Sequence, residues 1–565
     1  MQKEIENLIL KFALQNAVKF NGRANPGAIV GKLLGDKPEL KSQMKEIGKE
    51  ISRIVKHVNL MKRESQVAKL KEIDPSLLEK KKKVSKRQAG LQELQGAEDG
   101  KVNTRIPPEP SKYNHLGHAL AFLINYLYAK KYNSKCVLRF DDTNPNKCKQ
   151  EYVDAMMKDV IEYLGIKPDS QFFASDKMKE FYKYAEKLVK EGNAYVCFCE
   201  QQKMRENRRA GIECECRNKD VETNLTQWKN MLNKKYEEGE CCLRIKGDME
   251  SLNHVMRDFV ICRITLAPHY KHGHKYHVWP NYDFESAIAE HLTGTTYILR
   301  PTEFGLMRIE LQDYIKDKLG ISKQKEIQFG RFVVKDAPTQ GRVIRELIES
   351  GKMKGWDDPR LVTLRALKRR GFVKEMFYDL VKEVGLSKSN TNIDWTLLSS
   401  INRKYLDPIC KRFFFMSHPK LITIKNAPKR EIKLKFHPDD KIGGRDFSVS
   451  EEFYIEEKDY KKFKEGGFYR LMDCLNFKFV NGECVFDSLD HEHYKEKGSM
   501  IMHWLPKHGN VDVEIMMDDA NVLSGLGEHN MKVLKVDDII QAQRFGFIRL
   551  DEITDEKMKF WFTHK

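Results

Sequence analysis

Two histidines three residues apart stand at the start of an apolar stretch, in the segment RIPPEPSKYNHLGHALAF that begins at Arg105. If a helix begins at His115, then His115 and His118 lie on one face of its first turn. A helix N-terminus can hold a phosphate through free N–H groups and the helix dipole, and imidazoles there can donate further hydrogen bonds. Gly117 leaves room for a flat ring such as adenine. A purely structural histidine pair is the alternative, and these residues alone leave both interpretations open.

The cysteines offer a second kind of chemistry. The chain has 12 of them, and four form two close pairs: Cys197 and Cys199, then Cys214 and Cys216. Four thiolates in this pattern can complete a tetrahedral zinc site that staples a small module without a core of its own. Four free thiols are the alternative. The adjacent Cys241 and Cys242 lie in a strand-like stretch and are interpreted as structural.

The charge balance indicates a polyanionic partner. The chain has 565 residues, with 100 Lys and Arg against 82 Asp and Glu, a net charge of +18 and a pI near 9.1; this suits a nucleic acid. The basic clusters that could follow phosphates are Lys80 to Lys83, Arg205, Arg208, Arg209, Arg365, Lys368, Arg369 and Arg370; solvated surface is the alternative. No apolar run of about 18 residues is present and the start lacks a signal-type core, which argues against a membrane protein and favours a cytoplasmic location.

Periodicity predicts the elements that must position these residues. The first 70 or so residues have helical spacing and predict an all-α extension, and residues 74–103 indicate a mobile linker or a charged helix. A strand at Val102–Ile106, a helix from His115 to Lys130 and a strand at Cys136–Phe140 form a βαβ unit, whose first crossover turn is where a doubly wound sheet binds nucleotides. A basic helical region follows residue 320, and alternating segments from about residue 405 predict antiparallel β-barrel or sandwich modules.

Several segments together resemble one family. The segment from Arg105 to His118 resembles the first signature of class I aminoacyl-tRNA synthetases, in the form used by glutamyl and glutaminyl enzymes. RFDDTNP from Arg139, YHVWPNYDF from Tyr276, GWDDPR from Gly355 and FGFIRLD from Phe545 occur in the same order as in that family. The N-terminal ALQNAVKFNGRANPGAIVGKLLGDKPEL resembles the helical extension of the archaeal-type glutamyl enzymes. The resemblance covers nearly the whole chain.

The resemblance implies a division into domains. We expect an N-terminal helical extension and basic linker (1–100), followed by the two halves of a Rossmann-type α/β catalytic domain (101–194 and 251–330). An insertion between the halves (195–250) would meet the tRNA acceptor end and hold the candidate zinc module. A second-signature loop with a helical stem-contacting region (331–404) and a C-terminal antiparallel β-barrel domain that reads the anticodon (405–565) would complete the chain. Unstacked anticodon bases suit aromatic contacts, which are expected near Phe413 to Phe415 and Arg544 to Phe547.

The resemblance also implies an activity and a set of site residues. ATP with Mg²⁺ would activate L-glutamate to glutamyl-adenylate, and the terminal adenosine of tRNA(Glu) would take the glutamyl group; a monomer is expected. The implied ATP-binding residues are Pro108, His115, Gly117 and His118, and the implied amino-acid-binding residues are Arg105, Asp141, Tyr282 and Arg300. The implied tRNA contacts are Arg208, Arg209, Asp358, Arg360, Arg369 and Arg370. The alternatives are that Arg105 and Asp141 only pair with each other and that Tyr282 is a core aromatic.

Ser286 and two departures from the family qualify this interpretation. Ser286 stands where glutaminyl enzymes usually have histidine, which favours glutamate; a glutamine–tRNA ligase, charging of tRNA(Gln) as well, or a tRNA-binding protein with impaired activation remain open. The family usually reads S-G-Y-L-H before the signature's glycine, and here Lys112 replaces that first glycine. If the position needs positive φ, lysine strains the loop, although its ammonium could also reach the triphosphate. The second signature, normally like S-K-S-K, reads Thr339 to Val343 without a lysine, so Lys335 or Arg342 would supply the catalytic charge.

Overall fold

The computed structural model describes residues 2–20, 22–37, 40, 44–74, 90–439 and 443–565. The lysine run from Lys80 to Lys83 lies outside the described residues. Residues 1–88 and 89–565 form two compact units. Within the described ranges, no helix combines the length and apolar character needed to cross a membrane.

The first unit is helical, as predicted. Its helices are α1 (Gln2–Lys19), α2 (Pro26–Asp36), α3 (Met44–Leu60) and α4 (Arg63–Ile73). Asn25 caps α2 by accepting a hydrogen bond from Gly27 N–H, and Pro26 occupies the first turn, where a missing N–H costs nothing. Apolar residues spaced three and four apart, such as Ile9 and Ala13 on α1 and Ile51 and Val55 on α3, pack into one core.

The second unit begins with the predicted βαβ unit. Its elements are β1 (Thr104–Ile106), α5 (Leu116–Lys131), β2 (Cys136–Phe140), α6 (Gln150–Met157), which continues as a π-helix (Lys158–Tyr163), and β3 (Ser170–Phe173). The strands are parallel in the order β1-β2-β3, with Thr104 opposite Cys136. Every residue of β2 is buried, because helices cover both faces of a central parallel strand. The carboxyl end of β1 therefore leads directly to the histidine-containing turn.

An antiparallel module interrupts this sheet. Its elements are α7 (Met178–Lys190), β4 (Ala194–Cys197), α8 (Gln201–Ala210), α9 (Val221–Leu232), β5 (Cys242–Ile245), β6 (Val260–Ile264), β7 (Val278–Pro280) and α10 (Tyr282–Leu292). The strands pair in chain order, β4-β5-β6-β7. The antiparallel sheet thus continues beyond residue 250, since β6 and β7 complete it.

The parallel sheet then resumes with β8 (Tyr297–Pro301), α11 (Gly305–Leu319) and β9 (Lys325–Phe329). Tyr297 N–H donates to the carbonyl of Asn103, just before β1, at 3.0 Å. Strand β9 pairs in parallel with β8. The pair β8-β9 therefore lies next to the sheet β1-β2-β3, as in a Rossmann-type fold, where the chain returns to the other side of its first strand.

A mainly helical region joins the catalytic sheet to the last modules. It contains β10 (Phe332–Val334), α12 (Gly341–Glu349), α13 (Leu364–Arg369), α14 (Lys374–Val384), β11 (Thr391–Ile393) and α15 (Trp395–Leu406). Residues from α13, α14 and α15 share the hydrophobic core of α5 and β2. The helical region therefore packs directly on the catalytic domain.

Two barrel-like modules complete the chain. Their elements are β12 (Arg412–Phe413), β13 (Phe415–Met416), β14 (Pro419–Lys425), β15 (Arg430–Lys435), β16 (Gly444–Val449), β17 (Glu452–Glu456), α16 (Glu457–Tyr460), β18 (Phe468–Leu471), β19 (Leu475–Val480), β20 (Glu483–Ser488), α17 (His491–Lys497), β21 (Met500–Met502), β22 (Leu505–Pro506), β23 (Val511–Met516), β24 (Val522–Gly527), β25 (Ile539–Ala542), β26 (Gly546–Ile553) and β27 (Lys557–His564). The sheet orders are β21-β18-β19-β20-β14-β17-β22 and β12-β25-β26-β27-β23-β24-β13.

Pairing in these modules is mainly antiparallel, as predicted, with some parallel pairs. Strand β14 runs parallel to β20, and β23 runs parallel to β27. Such pairs join segments that are distant along the chain, where no hairpin fixes the relative direction.

The rings of Phe413 to Phe415 themselves are buried and are not available to stack on bases. Their exposed fractions are 0%, 0% and 1%, because the aromatic run alternates between the cores of the two modules: Phe414 lies in one core and its two neighbours in the other. Arg544 is likewise engaged, donating to both carboxylate oxygens of Asp459.

Candidate active site

The two histidines of the first signature hold each other in place at the start of α5. His115 is the N-cap residue, and its Nδ1 accepts a hydrogen bond from Gly117 N–H at 3.0 Å. His118 Nδ1 accepts from His115 N–H at 3.2 Å, and the two rings stack with centroids 3.8 Å apart. Because each Nδ1 accepts, the proton of each neutral ring is assigned to Nε2. Both imidazoles therefore keep one N–H donor for another partner.

Gly117 is required by the ring of His115. A Cβ at residue 117 would lie 2.9 Å from His115 Cε1, closer than side chains pack. The flat ring for which the glycine makes room in this structure is thus the imidazole itself. The same glycine lines the cavity described below.

The histidines act as neutral donors at physiological pH. Burial, followed by the positive charges of Lys112 and Arg331, lowers the pKa of His115 to about 3. Burial, followed by His115 and Lys112, places the pKa of His118 well below its ordinary value. Both rings are therefore uncharged well below pH 7, and they can stabilise an anion by hydrogen bonding without adding charge.

The segment after GWDDPR fixes the backbone of the histidine turn. Leu116 N–H donates to Val362 O at 2.8 Å and Leu364 N–H donates to Asn114 O at 2.9 Å, while His115 and Thr363 form an antiparallel bridge. Two motifs far apart in the sequence therefore meet as a short ladder. Both motifs are therefore needed to hold the backbone of the histidine turn in place.

Arg105 and Asp141 lie in one buried charge network but do not pair with each other. Arg105 is 1% exposed, and its Nε lies 3.6 Å from Glu290 Oε1 without a hydrogen bond to any described group. Asp141 instead accepts two hydrogen bonds from Arg139, at 2.7 and 2.9 Å. The structure excludes the alternative of a mutual Arg105–Asp141 pair, and it leaves donors of Arg105 available.

Arg300 and Tyr282 adjoin this network. Arg300 donates from both Nε and a terminal nitrogen to Glu326 and from its other terminal nitrogen to Gln312 Oε1 at 3.2 Å. Tyr282 begins α10 and is half-buried rather than a core residue. Burial, helped by Asp141, raises the pKa of Tyr282 to about 12, so its hydroxyl keeps its proton and can donate.

One cavity of about 730 Å³ brings these groups together. It is lined by all eight residues expected to bind ATP or the amino acid: Arg105, Pro108, His115, Gly117, His118, Asp141, Tyr282 and Arg300. Lys112, Thr339, Gln340 and Gly341 also line it. Its volume lies in the range typical of ligand pockets.

Lys335 and Arg342, the expected sources of positive charge, do not line this cavity. Lys335 is exposed in the turn after β10. The Arg342 side chain is 88% exposed and pairs with Glu346 at 2.8 Å, one turn along α12.

The backbone of Lys112 does not have a positive φ, so its conformation is an ordinary one. The family's glycine at this position is therefore not needed for the turn, and the lysine does not strain the loop. Of the two interpretations of Lys112, the one that requires strain is excluded.

The site contains charged residues that the sequence-based interpretation did not single out. Glu290 is fully buried and pairs with Lys316 at 3.1 Å as well as with Arg105. Arg139 is also fully buried and donates to Ser286 Oγ at 3.2 Å. The sequence does indicate both residues, since each carries the charge of an otherwise mainly apolar segment: Arg139 in CVLRF and Glu290 in AIAEHL. A charge at such a position is retained only where it is paired.

The four predicted cysteines converge. The sulfur atoms of Cys197, Cys199, Cys214 and Cys216 all lie within 4.8 Å of one another. Tetrahedral zinc, with Zn–S bonds of about 2.3 Å, places its sulfurs about 3.8 Å apart, so this donor set fits zinc with little movement. Arg244 lies 3.6 Å from the sulfurs of Cys197 and Cys214, as a second-shell donor to thiolates would.

Some of the expected tRNA contacts are exposed, and others are already hydrogen-bonded within the protein. Arg209 is exposed on α8, whereas Arg208 donates to the carbonyls of Arg257 and His254 at 2.8 and 2.9 Å. Asp358 is buried and accepts two hydrogen bonds at 2.8 Å from the half-buried Arg360.

Arg369 and Arg370 attach the helical region to the last module. Arg369 donates to both carboxylate oxygens of Asp551, in the FGFIRLD segment. Arg370 is 3% exposed and donates to the carbonyls of Phe562, Pro359 and Thr563. The guanidinium of Arg370 is thereby occupied within the protein.

The sequence of this chain matches known proteins along its whole length. A family model described as tRNA synthetases class I (E and Q), catalytic domain, matches residues 101–408, and the anti-codon binding domain of the same group matches residues 410–494. The chain is 41% identical to a glutamate–tRNA ligase of Pyrococcus abyssi, with 100% of both chains covered. It is 35% identical to that of Methanocaldococcus jannaschii, with 99% of this chain and 100% of the relative covered.

A solved structure, a glutamate tRNA ligase from Elizabethkingia meningosepticum, is a more distant neighbour. It has a TM-score of 0.41 and 16% identity, and the match covers 55% of this chain and 70% of that chain. The family models and the full-length relatives decide the assignment. The chain belongs to the class I tRNA synthetases of the glutamyl and glutaminyl group.

Proposed function

We propose that this protein is a glutamate–tRNA ligase. In the first step the α-carboxylate of glutamate attacks the α-phosphate of ATP, giving glutamyl-adenylate and pyrophosphate. In the second, the terminal adenosine hydroxyl of tRNA takes the glutamyl group and AMP leaves. The observation that carries the proposal is the single cavity that joins two neutral imidazole donors to a buried arginine–carboxylate network.

The histidines serve the first step. Attack on phosphorus develops negative charge on a five-coordinate phosphate, which the Nε2–H groups of His115 and His118 can stabilise. Donors already held by backbone hydrogen bonds need little reorganisation as that charge develops. Mg²⁺ accompanies ATP and neutralises phosphate charge when bound.

The charge network serves recognition of glutamate. Arg105 has unused donors for a substrate carboxylate, and Asp141, although paired with Arg139, retains lone pairs for the α-ammonium. Tyr282 and Arg300 line the same region. Glutamine would offer the unused donors of Arg105 a neutral amide in place of a carboxylate and would lose a charge-assisted hydrogen bond, so the site favours glutamate.

The exposed cations serve tRNA binding, with Arg205 and Arg209 on the insertion and Arg365 and Lys368 on the helical region. They position the phosphate backbone and carry no base specificity. Charging of tRNA(Gln) in addition to tRNA(Glu) would depend on base contacts in the last modules.

Zinc is proposed to hold the insertion together through the four cysteines. Purified protein should contain about one equivalent of zinc, and Cys199→Ser with Cys216→Ser should abolish its binding, because two ligands are lost. Metal analysis of both proteins checks this. Cys484→Ala, which removes a buried thiol outside the cluster, is the matched control and should keep the metal. Less than a tenth of an equivalent in the unaltered protein would end the zinc proposal.

The reaction is tested by ATP–pyrophosphate exchange in the presence of tRNA, with glutamate or glutamine as the amino acid. Exchange that depends on glutamate is expected. Exchange with glutamine alone would make the protein a glutamine–tRNA ligase. Binding of tRNA without exchange under either condition would make it a tRNA-binding protein.

A further inference from the structure

We propose that Lys112 binds the polyphosphate of ATP in this chain, in place of the lysine that the segment Thr339–Val343 lacks. This inference rests on the proposed function, since it assumes that ATP occupies the cavity. Lys112 lies in the loop before α5 and lines the cavity with His115 and His118.

The charges around the cavity single out Lys112. The other Lys and Arg side chains that line it are each paired with a carboxylate: Arg105 with Glu290 at 3.6 Å, Arg300 with Glu326, Arg308 with Asp283 at 3.4 Å and Arg331 with Glu303 at 3.0 Å. The ammonium of Lys112 has no hydrogen bond or ion pair to any group in the described parts of the chain. A lysine whose charge is not already neutralised is the lining residue best suited to a polyanion.

Gly341 leaves room for the side chain of Lys112. A Cβ at residue 341 would lie 2.8 Å from Lys112 Cδ and 3.6 Å from Lys112 Cβ. The aliphatic stem of Lys112 therefore crosses the first residue of α12 through space that a side chain at 341 would fill. The side chain of Lys112, from the loop before α5, thus lies beside the start of α12, the helix of the second-signature segment. The lysine at 112 and the glycine at 341 are therefore complementary in shape.

The surroundings of Lys112 suit the same role. Burial lowers its pKa, while Glu109 and Glu303 act to raise it and Arg345 acts to lower it. An ammonium with reduced hydration binds an anion more strongly than a fully solvated one, because less water must be removed. Neither carboxylate is close enough to form an ion pair with it, so the charge remains available to a ligand.

The first test measures nucleotide affinity, with tRNA present throughout. Lys112→Met keeps the stem and removes the charge. It should weaken binding of a non-hydrolysable ATP analogue about 10- to 100-fold, the range for a lost charge-assisted hydrogen bond, and leave adenosine binding unchanged. Lys190→Met is the matched control, because Lys190 is 60% exposed and outside the cavity; its nucleotide affinity should equal that of the unaltered protein.

The second test moves the charge. Lys112→Gly combined with Gly341→Lys should recover affinity for the ATP analogue relative to Lys112→Met, since a lysine at 341 then enters the vacated space. Gly341→Lys alone should not improve binding, because its side chain meets the stem of Lys112.

Two results would overturn the inference. One is an equal loss of affinity for adenosine and the ATP analogue in Lys112→Met, which would mean that the lysine only shapes the loop. The other is normal binding by Lys112→Met together with weakened binding by Lys335→Met or Arg342→Met. Failure of the proposed function is distinguishable, because the unaltered protein would then bind the ATP analogue but show no exchange with glutamate.

Discussion

Replacing Arg105 with glutamine is expected to lower kcat/KM for glutamate in the exchange reaction about 10²- to 10³-fold. The guanidinium is buried, and truncating one partner of a buried charge pair commonly costs about 2–5 kcal/mol. Glu290 would keep Lys316 as its partner, so the fold should survive. The KM for ATP should change little, because Arg105 is proposed to bind the amino acid.

Arg105→Lys is the matched control for that prediction. It keeps the positive charge and removes the planar fork, so activity should lie between those of the unaltered protein and Arg105→Gln. Thermal unfolding of all three proteins separates binding from stability. A lowered Tm with unchanged kcat/KM for glutamate would show that Arg105 only stabilises the buried network.

Replacing His118 with alanine is expected to slow glutamyl-adenylate formation about 10²- to 10³-fold, as loss of one donor to a developing oxyanion does. The affinity for tRNA should remain nearly unchanged, because His118 is proposed to bind ATP inside the cavity. Single-turnover activation and equilibrium tRNA binding measure the two quantities separately.

His118→Gln tests whether a neutral donor is sufficient. Its amide can donate from nearly the same place, so it should retain more activation than His118→Ala. The low pKa of His118, caused first by burial, implies that protonated imidazole is not needed near neutral pH. Equal losses of activation and tRNA affinity in His118→Ala would instead mean that the histidine pair is structural.

Local patterns made the elements around the site predictable. The strand Cys136–Phe140 and a helix starting at the histidines follow from apolar periodicity and occur where expected. The partners within the charge network were not predictable in the same way. Arg105 and Glu290 are far apart in the sequence and meet only because α10 packs against the sheet, which periodicity does not specify.

Residues of one type in adjacent positions were the hardest to interpret. Arg369 and Arg370 look alike in the sequence, yet one is 38% exposed at its side chain and the other 4%. Both contact the last module, but Arg370 donates to backbone carbonyls, whereas Arg369 pairs with the side chain of Asp551. The run Phe413–Phe415 suggested a stacking surface, but alternation along an extended segment places its rings in two different cores. Tertiary packing decided both cases.

Aminoacylation of bulk tRNA with labelled glutamate or labelled glutamine measures the proposed reaction itself. Charging with glutamate and not with glutamine is predicted, because the unused donors of the buried Arg105 bind a substrate carboxylate better than a neutral amide. Charging with glutamine and not with glutamate, or no charging with either while tRNA still binds, would contradict the account.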